Sequence, residues 1–105
     1  MNYISNVFSF NMLLNKDVQK GTINFEVVDK NDIPEDATAI IHYGPAAKVI
    51  SNELGREIIN EKGKRLALNS GDTLYLAKID GGNLTTNDTV LPEGYSITYI
   101  KITIG

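Results

Sequence analysis

The residues best suited to chemistry lie near the start of the chain, in segment 6–13, directly after a short apolar run. Ser9 is predicted to cap a short helix, whose first backbone N–H groups lack partners within the helix. Such unpaired groups attract phosphate. Together with Asn6 and Asn11, Ser9 would then help to bind an anionic ligand. The alternative is a plain capping serine with a buried phenylalanine on either side.

A second candidate is the only histidine of the sequence, His42, which precedes the best-defined helix pattern. Its ordinary pKa of about 6.5 suits proton transfer at neutral pH, so it could protonate a leaving oxygen. The alternative is an imidazole at a strand end with a backbone partner. Tyr43 and Gly44 belong to the same turn, and the tyrosine ring could stack on a nucleobase.

Two further turns carry residues that could contact a ligand. Lys64 and Arg65 belong to a short basic turn, which could contact a phosphate or form a solvated hairpin tip. Asn83 follows the pair Gly81 and Gly82, which permits close approach of the backbone to a ligand, although a tight turn needs the same residues.

Several kinds of site are excluded by residue type and spacing. The sequence has no cysteine, and one histidine cannot build a zinc site alone. The acidic residues of loop 29–36 lack the spacing of a calcium-binding loop and are interpreted as a solvated surface. No phosphate loop, catalytic-triad order or dinucleotide-binding pattern is present. We therefore expect no metal and no cofactor.

Length and composition indicate one globular domain that spans residues 1–105, with 42% hydrophobic and 22% charged residues. The formal charge of −3 argues against binding to long nucleic acid, which requires a broad basic surface. A small anionic ligand needs only a few donors. No apolar run approaches the roughly 20 residues that span a bilayer, and no basic leader pattern is present, so we expect a cytoplasmic protein without membrane contact.

The elements that would position these residues follow the order β-α-β-β-α-β-β-β-β. Helices are predicted at 10–16 and 45–54. Strands are predicted at 1–5, 22–28, 37–41, 57–59, 65–68, 73–79 and 95–104. This order indicates an α+β protein with a mixed β-sheet of about five or more strands and helices packed on it.

Apolar periodicity assigns faces to three of these elements. In the second helix, Ala47, Ile50 and Leu54 would form one buried stripe, and Gly55 would end the helix in a left-handed conformation. In segment 22–28, alternate apolar residues share one face of a strand. Both faces of the last strand are fairly apolar, which is typical of a central or interface strand.

Segment 6–13, with the sequence Asn-Val-Phe-Ser-Phe-Asn-Met-Leu, resembles the N-terminal signature of a family of small proteins from archaeal viruses, phages and mobile elements. This family includes the viral type III anti-CRISPR ring nucleases. Segments 46–55 and 74–79 are similar to the same family, and the closing strand falls in the expected place. The resemblance covers most of the chain.

The resemblance implies a homodimer with a mixed sheet, whose two-fold cleft binds cyclic tetra-adenylate, the second messenger of type III CRISPR defence. It also implies metal-independent cleavage, in which a ribose 2′-hydroxyl attacks the adjacent phosphate and a histidine protonates the leaving oxygen. Carried over by position, Asn6, Ser9 and Asn11 would line the cleft.

The departures from the family pattern concern catalysis. Aligning the helix without gaps places Tyr43 at the position of the family's histidine and His42 at the preceding glycine. A phenol, with a pKa of about 10, is a poor general acid at neutral pH. The arginine and glutamate that ordinarily follow the strand are absent from segment 81–86. The family's other basic contact maps only loosely onto Lys64 or Arg65.

We therefore expect a phage or mobile-element anti-defence protein that binds and sequesters a cyclic nucleotide messenger in a dimer-interface cleft. The messenger would be a cyclic oligonucleotide or a molecule of the cyclic ADP-ribose type. The expected ligand contacts are Asn6, Ser9, Asn11, Tyr43, Gly44, Lys64, Arg65 and Asn83. One alternative is a metal-independent ring nuclease with His42 as general acid, and another is a non-catalytic protein-interaction module.

Overall fold

The computed structural model describes residues 1–14, 20–60 and 65–105. Five strands form one sheet in the order β2-β5-β4-β1-β3. The strands are β1 (Asn2–Ser5), β2 (Ile23–Val28), β3 (Thr38–Ala39), β4 (Thr73–Asp80) and β5 (Ser96–Ile104). Strand β1 pairs in parallel with β3 and β4, whereas β5 pairs antiparallel with β2 and β4. The predicted α+β class with a mixed sheet is confirmed.

The described residues form one α-helix, α1 (Gly44–Leu54), which packs on one face of the sheet. Pro45 lies in its first turn, where a missing N–H costs nothing. Gly55 ends the helix with a φ of 68°, a left-handed conformation that glycine adopts without strain. The predicted helix is confirmed with one added residue, but its buried residues are Ala46, Val49 and Ile50. The buried stripe therefore lies on a different side of the helix from the predicted stripe of Ala47, Ile50 and Leu54.

The two faces of the sheet carry two separate apolar clusters. On the face covered by α1, Ile4, Tyr75 and Tyr99 pack against the helix. On the opposite face, Leu74 and Ile102 pack against residues that belong to no strand or α-helix: Met12, Leu13, Ile40, Leu66 and Leu68. Since β5 lies between β2 and β4, it supplies both clusters, as its two apolar faces predicted.

Three secondary-structure predictions were wrong. Segments 57–59 and 65–68 form no strand, and only Asn60 makes an isolated bridge, to Ala39. The alternation that indicated the second of these strands arises because Leu66 and Leu68 pack onto the sheet without pairing to it. The predicted helix at 10–16 is a single 3₁₀ turn, Phe10–Met12, and its predicted end lies outside the described residues.

The hydroxyl group of Tyr99 is a buried polar atom with no hydrogen-bond partner among the described residues. Burial raises the pKa of this phenol to about 12, and the charges of Glu53 and Asp29 add to the effect. The neutral phenol is therefore favoured in the folded protein.

Tyr99→Phe should leave the free energy of unfolding unchanged or raised at neutral pH, because no hydrogen bond is lost. The native protein should lose stability as the pH rises from about 10 towards 12, since the unfolded chain releases this proton first. The Tyr99→Phe variant should lose less stability over that pH range. Urea denaturation of both proteins at about pH 8 and pH 11 measures how much free energy of unfolding each loses. An equal loss in the two proteins would contradict the prediction.

Candidate functional site

Strands β1 and β4 run parallel, so their carboxyl ends meet at one edge of the sheet, where ligands of open α/β sheets commonly bind. Asn6 directly follows β1, and Asn83 follows β4 after two glycines. Tyr43 precedes α1 at the same edge. A recess of about 520 Å³ opens between them, here called the amide recess. It is lined by Asn6, Tyr43, Ala46, Ile79, Gly82, Asn83 and Leu84.

A second recess, of about 340 Å³, lies on the other side of segment 41–43, which leads into α1. It is here called the basic recess. It is lined by Val7, Ser9, Asn11, Met12, His42, Arg65 and Leu66. The structure thus distributes the predicted contacts over two sites. Ser9, Asn11 and Arg65 line the basic recess. Lys64 lies outside the described residues.

The wall between the two recesses is formed by Asn6 and by the segment 41–43. The side-chain oxygen of Asn6 accepts a hydrogen bond of 3.1 Å from the backbone N–H of His42. Tyr43 is extended, with φ −133° and ψ 121°. Neighbouring side chains of an extended segment point to opposite sides, which is why His42 lines the basic recess and Tyr43 the amide recess.

Segment 41–43 is fixed by hydrogen bonds to three distant parts of the chain. The amide of Asn60 accepts from the N–H of Ile41 at 2.8 Å and donates to its C=O at 2.9 Å. The hydroxyl of Tyr43 donates to the C=O of Leu84 at 2.7 Å. Together with the hydrogen bond from His42 to Asn6, these bonds hold the three successive residues Ile41, His42 and Tyr43 in place. Sequence reasoning missed Asn60, because its role depends on a contact 19 positions away that no local pattern reveals.

The structure revises the helix-start interpretation of Ser9. Ser9 lies at the N-cap position, but its side chain makes no capping hydrogen bond, and the turn that follows has only three residues. A turn this short has no dipole with which to hold an anion. Phe10 is exposed, so the alternative with two buried phenylalanines is also wrong. What remains is an exposed hydroxyl at the basic recess.

The glycine pair after β4 is explained within the chain. A Cβ atom at Gly81 would lie 2.8 Å from the Cα atom of Tyr95, and one at Gly82 would lie 2.7 Å from the Tyr95 hydroxyl oxygen. Both glycines also have positive φ, at 128° and 145°. The Tyr95 hydroxyl donates to the C=O of Asn83 at 3.2 Å. The packed tyrosine therefore accounts for the glycines and fixes the backbone at Asn83.

The charge at the basic recess suits an anion, and the described residues that line the amide recess carry no charge. None of the described residues that line the two recesses is acidic, and the basic recess carries Arg65 and His42. Within the described ranges, no group of three or more histidine, cysteine, aspartate or glutamate side chains could hold a metal ion. In the same ranges, no helix has the length and apolar character needed to cross a membrane.

Comparison with known proteins identifies the fold but no family. No family model matches the chain, and no curated protein matches it. The structure is similar to B116 of Sulfolobus turreted icosahedral virus, with a TM-score of 0.71 and coverage of 97% of both chains, at 18% sequence identity. This likeness shows that the chain shares its fold with a small viral protein.

Proposed function

We propose that the protein binds a small cyclic nucleotide messenger of host defence and sequesters it uncleaved, as an anti-defence protein of a virus, phage or mobile element acting in the host cytoplasm. The observation that carries this proposal is the pair of adjoining recesses on either side of segment 41–43. One offers an aromatic ring and two amides, and the other offers a hydroxyl, an amide and a cation.

The amide recess fits a nucleobase. Its volume of about 520 Å³ lies within the range of ligand pockets, roughly 300–1,000 Å³. The ring of Tyr43 is 41% exposed and offers a face on which a base can stack. The Asn83 amide combines donors with an acceptor, the pattern needed to pair with the edge of a base. The Asn6 amide, whose oxygen accepts from His42, adds its N–H donors.

The basic recess fits the phosphate that joins one nucleotide to the next. The Arg65 guanidinium can bind two phosphate oxygens at once. Ser9 and Asn11 add neutral donors at the same recess. Gly44, a predicted contact, lines neither recess, but it begins the eleven-residue helix α1, whose N-terminal end favours negative charge next to Tyr43.

Sequestration is the leading function because the proton-transfer groups are few. Of the described residues at the two recesses, His42 is the only one of a type that commonly transfers protons at neutral pH, and no carboxylate accompanies it. Loss of one general acid or base typically lowers a rate by about 10²- to 10⁴-fold. Binding depends on hydrogen-bond donors and on an aromatic ring for stacking, and the residues that line the two recesses include both.

A second candidate is a metal-independent ring nuclease, and one observation favours it. His42 lines the same recess as Ser9, Asn11 and Arg65, so an imidazole and a guanidinium would both face a phosphate bound there. In that reaction the ribose 2′-hydroxyl loses its proton to water and attacks the adjacent phosphate, which forms a 2′,3′-cyclic phosphate. The bond from phosphorus to the 5′ oxygen breaks, and His42, as an imidazolium, gives its proton to that leaving oxygen.

Incubation with cyclic tetra-adenylate in EDTA separates these functions. We expect intact ligand to be recovered after heat denaturation of the protein. Linear products that disappear in His42→Ala would establish the nuclease instead. A panel of other cyclic oligonucleotides and cyclic ADP-ribose identifies the messenger by melting temperature, since a ligand at 100 times its Kd stabilises the fold by about 2.7 kcal/mol.

Arg65→Ala provides the residue-level test, with Lys48→Ala as its control. Both variants lose one cation, but Lys48 is an exposed residue of α1 that lines neither recess. Only Arg65→Ala should weaken binding and reduce its salt dependence. A panel in which no nucleotide raises the melting temperature would contradict sequestration and favour the alternative of a non-catalytic interaction module.

A further inference from the structure

The outer strand β2 has an open backbone edge whose direction can be read from one pair of hydrogen bonds. The N–H of Thr22 donates to the backbone oxygen of Gly105 at 3.4 Å, and the N–H of Gly105 donates back to Thr22 at 2.9 Å. Hydrogen-bonded and non-hydrogen-bonded pairs alternate in an antiparallel ladder, so the even-numbered residues of β2 bond to β5. The N–H and C=O groups of Ile23, Phe25 and Val27 therefore point to the open edge, where no described strand pairs with them.

The same three residues carry exposed apolar side chains. These side chains lie on the sheet face opposite α1, because Phe25 pairs with Ile102, which belongs to the cluster on that face. Phe25 is 75% exposed and Val27 is 69% exposed. Unpaired backbone groups and apolar side chains thus occur together along one edge.

This edge lacks most of the features that prevent pairing with another chain. Natural edge strands are usually kept short or are interrupted by bulges, prolines and lysines. Strand β2 has six residues, pairs with β5 without a break in register, and contains neither proline nor lysine. Its one charged residue is Glu26. At the opposite edge of the sheet, β3 has only two residues. Strand β2 is therefore the edge that is open to an added strand.

A small apolar cavity lies at the beginning of β2. It has a volume of about 160 Å³, and its lining includes Ile23, Phe10 and Leu14. Lys20 is the only charged residue among its described lining. On an added strand, the Cβ atom of the residue opposite Ile23 would lie about 5 Å from that of Ile23. Its side chain would then reach the cavity, which is large enough for one aliphatic or aromatic group, since a cavity of about 150 Å³ holds benzene.

The unpaired backbone groups select an extended chain as the occupant of this edge. A lipid or the apolar face of a helix would cover the side chains but leave the backbone groups of Ile23, Phe25 and Val27 without partners. An added strand bonds to all of them, and pockets for its alternate side chains provide specificity. Antiparallel orientation continues the arrangement that β2 already has with β5.

Charge favours a different protein over a second copy of this chain. Two copies of β2 that pair about Phe25 would place their Glu26 carboxylates as diagonal neighbours, roughly 7–8 Å apart on one face. Each chain also has a formal charge of −3. Lys101 lies beside Glu26 on β5, but among the described residues no ion pair joins them. A strand with lysine or arginine opposite Glu26 would replace the repulsion by attraction.

We propose that β2 is a docking site for a strand of another protein, which adds to the open edge in antiparallel orientation. The bound segment has apolar residues at alternate positions, one of them in the cavity beside Ile23, and a basic residue opposite Glu26. No residue of β2 lines either recess, so this interaction is independent of the proposed nucleotide binding.

Amide hydrogen exchange of the full chain, followed by NMR, tests the added strand. The probe is the peptide Thr-Val-Lys-Val-Thr-Phe-Thr, blocked at both ends, whose lysine faces Glu26 and whose phenylalanine faces Ile23 in the proposed register. In the free protein, the amides of the odd-numbered β2 residues should exchange faster than those of the even-numbered ones. The peptide should slow exchange of the odd-numbered amides by at least about tenfold and leave the others nearly unchanged.

Val27→Pro tests the backbone contribution. Its N–H points to the open edge, where proline is tolerated, so the β2–β5 ladder should stay intact. This variant should bind the peptide at least about tenfold more weakly than Val27→Ala, which shortens the side chain but keeps the N–H. Far-UV circular dichroism shows whether it is folded. Glu26→Lys serves as the second variant, and it should favour a peptide with glutamate in place of lysine over the original peptide.

Four results would overturn the docking site. One is a peptide that does not bind at about 1 mM, and another is binding without the alternating protection of β2 amides. The third is equal affinity of folded Val27→Pro and Val27→Ala. The fourth is odd-numbered amides that become protected as the free protein is concentrated, because a second copy would then occupy the edge.

Discussion

Asn60→Ala should lower the free energy of unfolding by about 2–4 kcal/mol. The Asn60 amide makes both backbone hydrogen bonds of Ile41, a residue that is only 5% exposed. Alanine would leave a buried donor and a buried acceptor unpaired, and each such group costs about 1–3 kcal/mol. Urea denaturation measures the change, and Asn52→Ala is its control. Asn52 makes one exposed hydrogen bond, to the C=O of Thr89, so its loss should cost less than about 1 kcal/mol.

The same variant should also weaken nucleotide binding at temperatures where it remains folded. His42 and Tyr43 directly follow Ile41, and a free segment would no longer hold their side chains on opposite sides of the wall. We expect at least a tenfold rise in Kd by calorimetry, from the lost preorganisation. Equal stability of Asn60→Ala and Asn52→Ala would show that the amide does not anchor this segment.

Tyr43→Ala should weaken binding of a cyclic nucleotide by about 5- to 150-fold. Stacking of a base on an aromatic ring contributes roughly 1–3 kcal/mol, and alanine removes the ring. Tyr43→Phe is the matched variant, because it keeps the ring and loses only the hydrogen bond to Leu84. Its affinity should stay within a few-fold of the native value.

The two substitutions together identify what Tyr43 contributes. If phenylalanine weakens binding as much as alanine does, the hydrogen bond to the loop after β4 matters and the ring does not stack. Melting temperatures of both free variants show how much of any loss comes from destabilisation of the fold.

Local signals in the sequence predicted the elements whose structure is decided locally. Helix α1 follows from its apolar period, from Pro45 at its start and from Gly55 at its end. Strands β2 and β5 follow from alternation. Segment 65–68 alternates in the same way but forms no strand, since pairing requires a free edge and its leucines instead cover the sheet. Periodicity reports which side chains are buried and does not report which backbone groups pair.

The sequence predicted several residues that line the two recesses, but it did not predict how they are arranged. Polar residues after apolar runs identified Asn6, Tyr43 and Asn83, and the structure brings these three to one recess. Ser9 and Arg65 line a different recess. Their position depends on the path of segment 65–68 across the sheet face, and only the tertiary packing decides that path. The same packing determines the anchoring by Asn60.

The sheet order has a consequence for how the protein is made. Strand β1 pairs with β4, which begins at Thr73, and among the described strands β2 pairs only with β5, which begins at Ser96. Strand β2 must therefore wait for β5, and until β4 is made β1 can pair only with the two-residue strand β3. Contacts so distant in sequence form slowly. A nascent chain that stops before β4 lacks Ile79, Gly82, Asn83 and Leu84, so the amide recess forms only after β4 and the loop that follows it have been made.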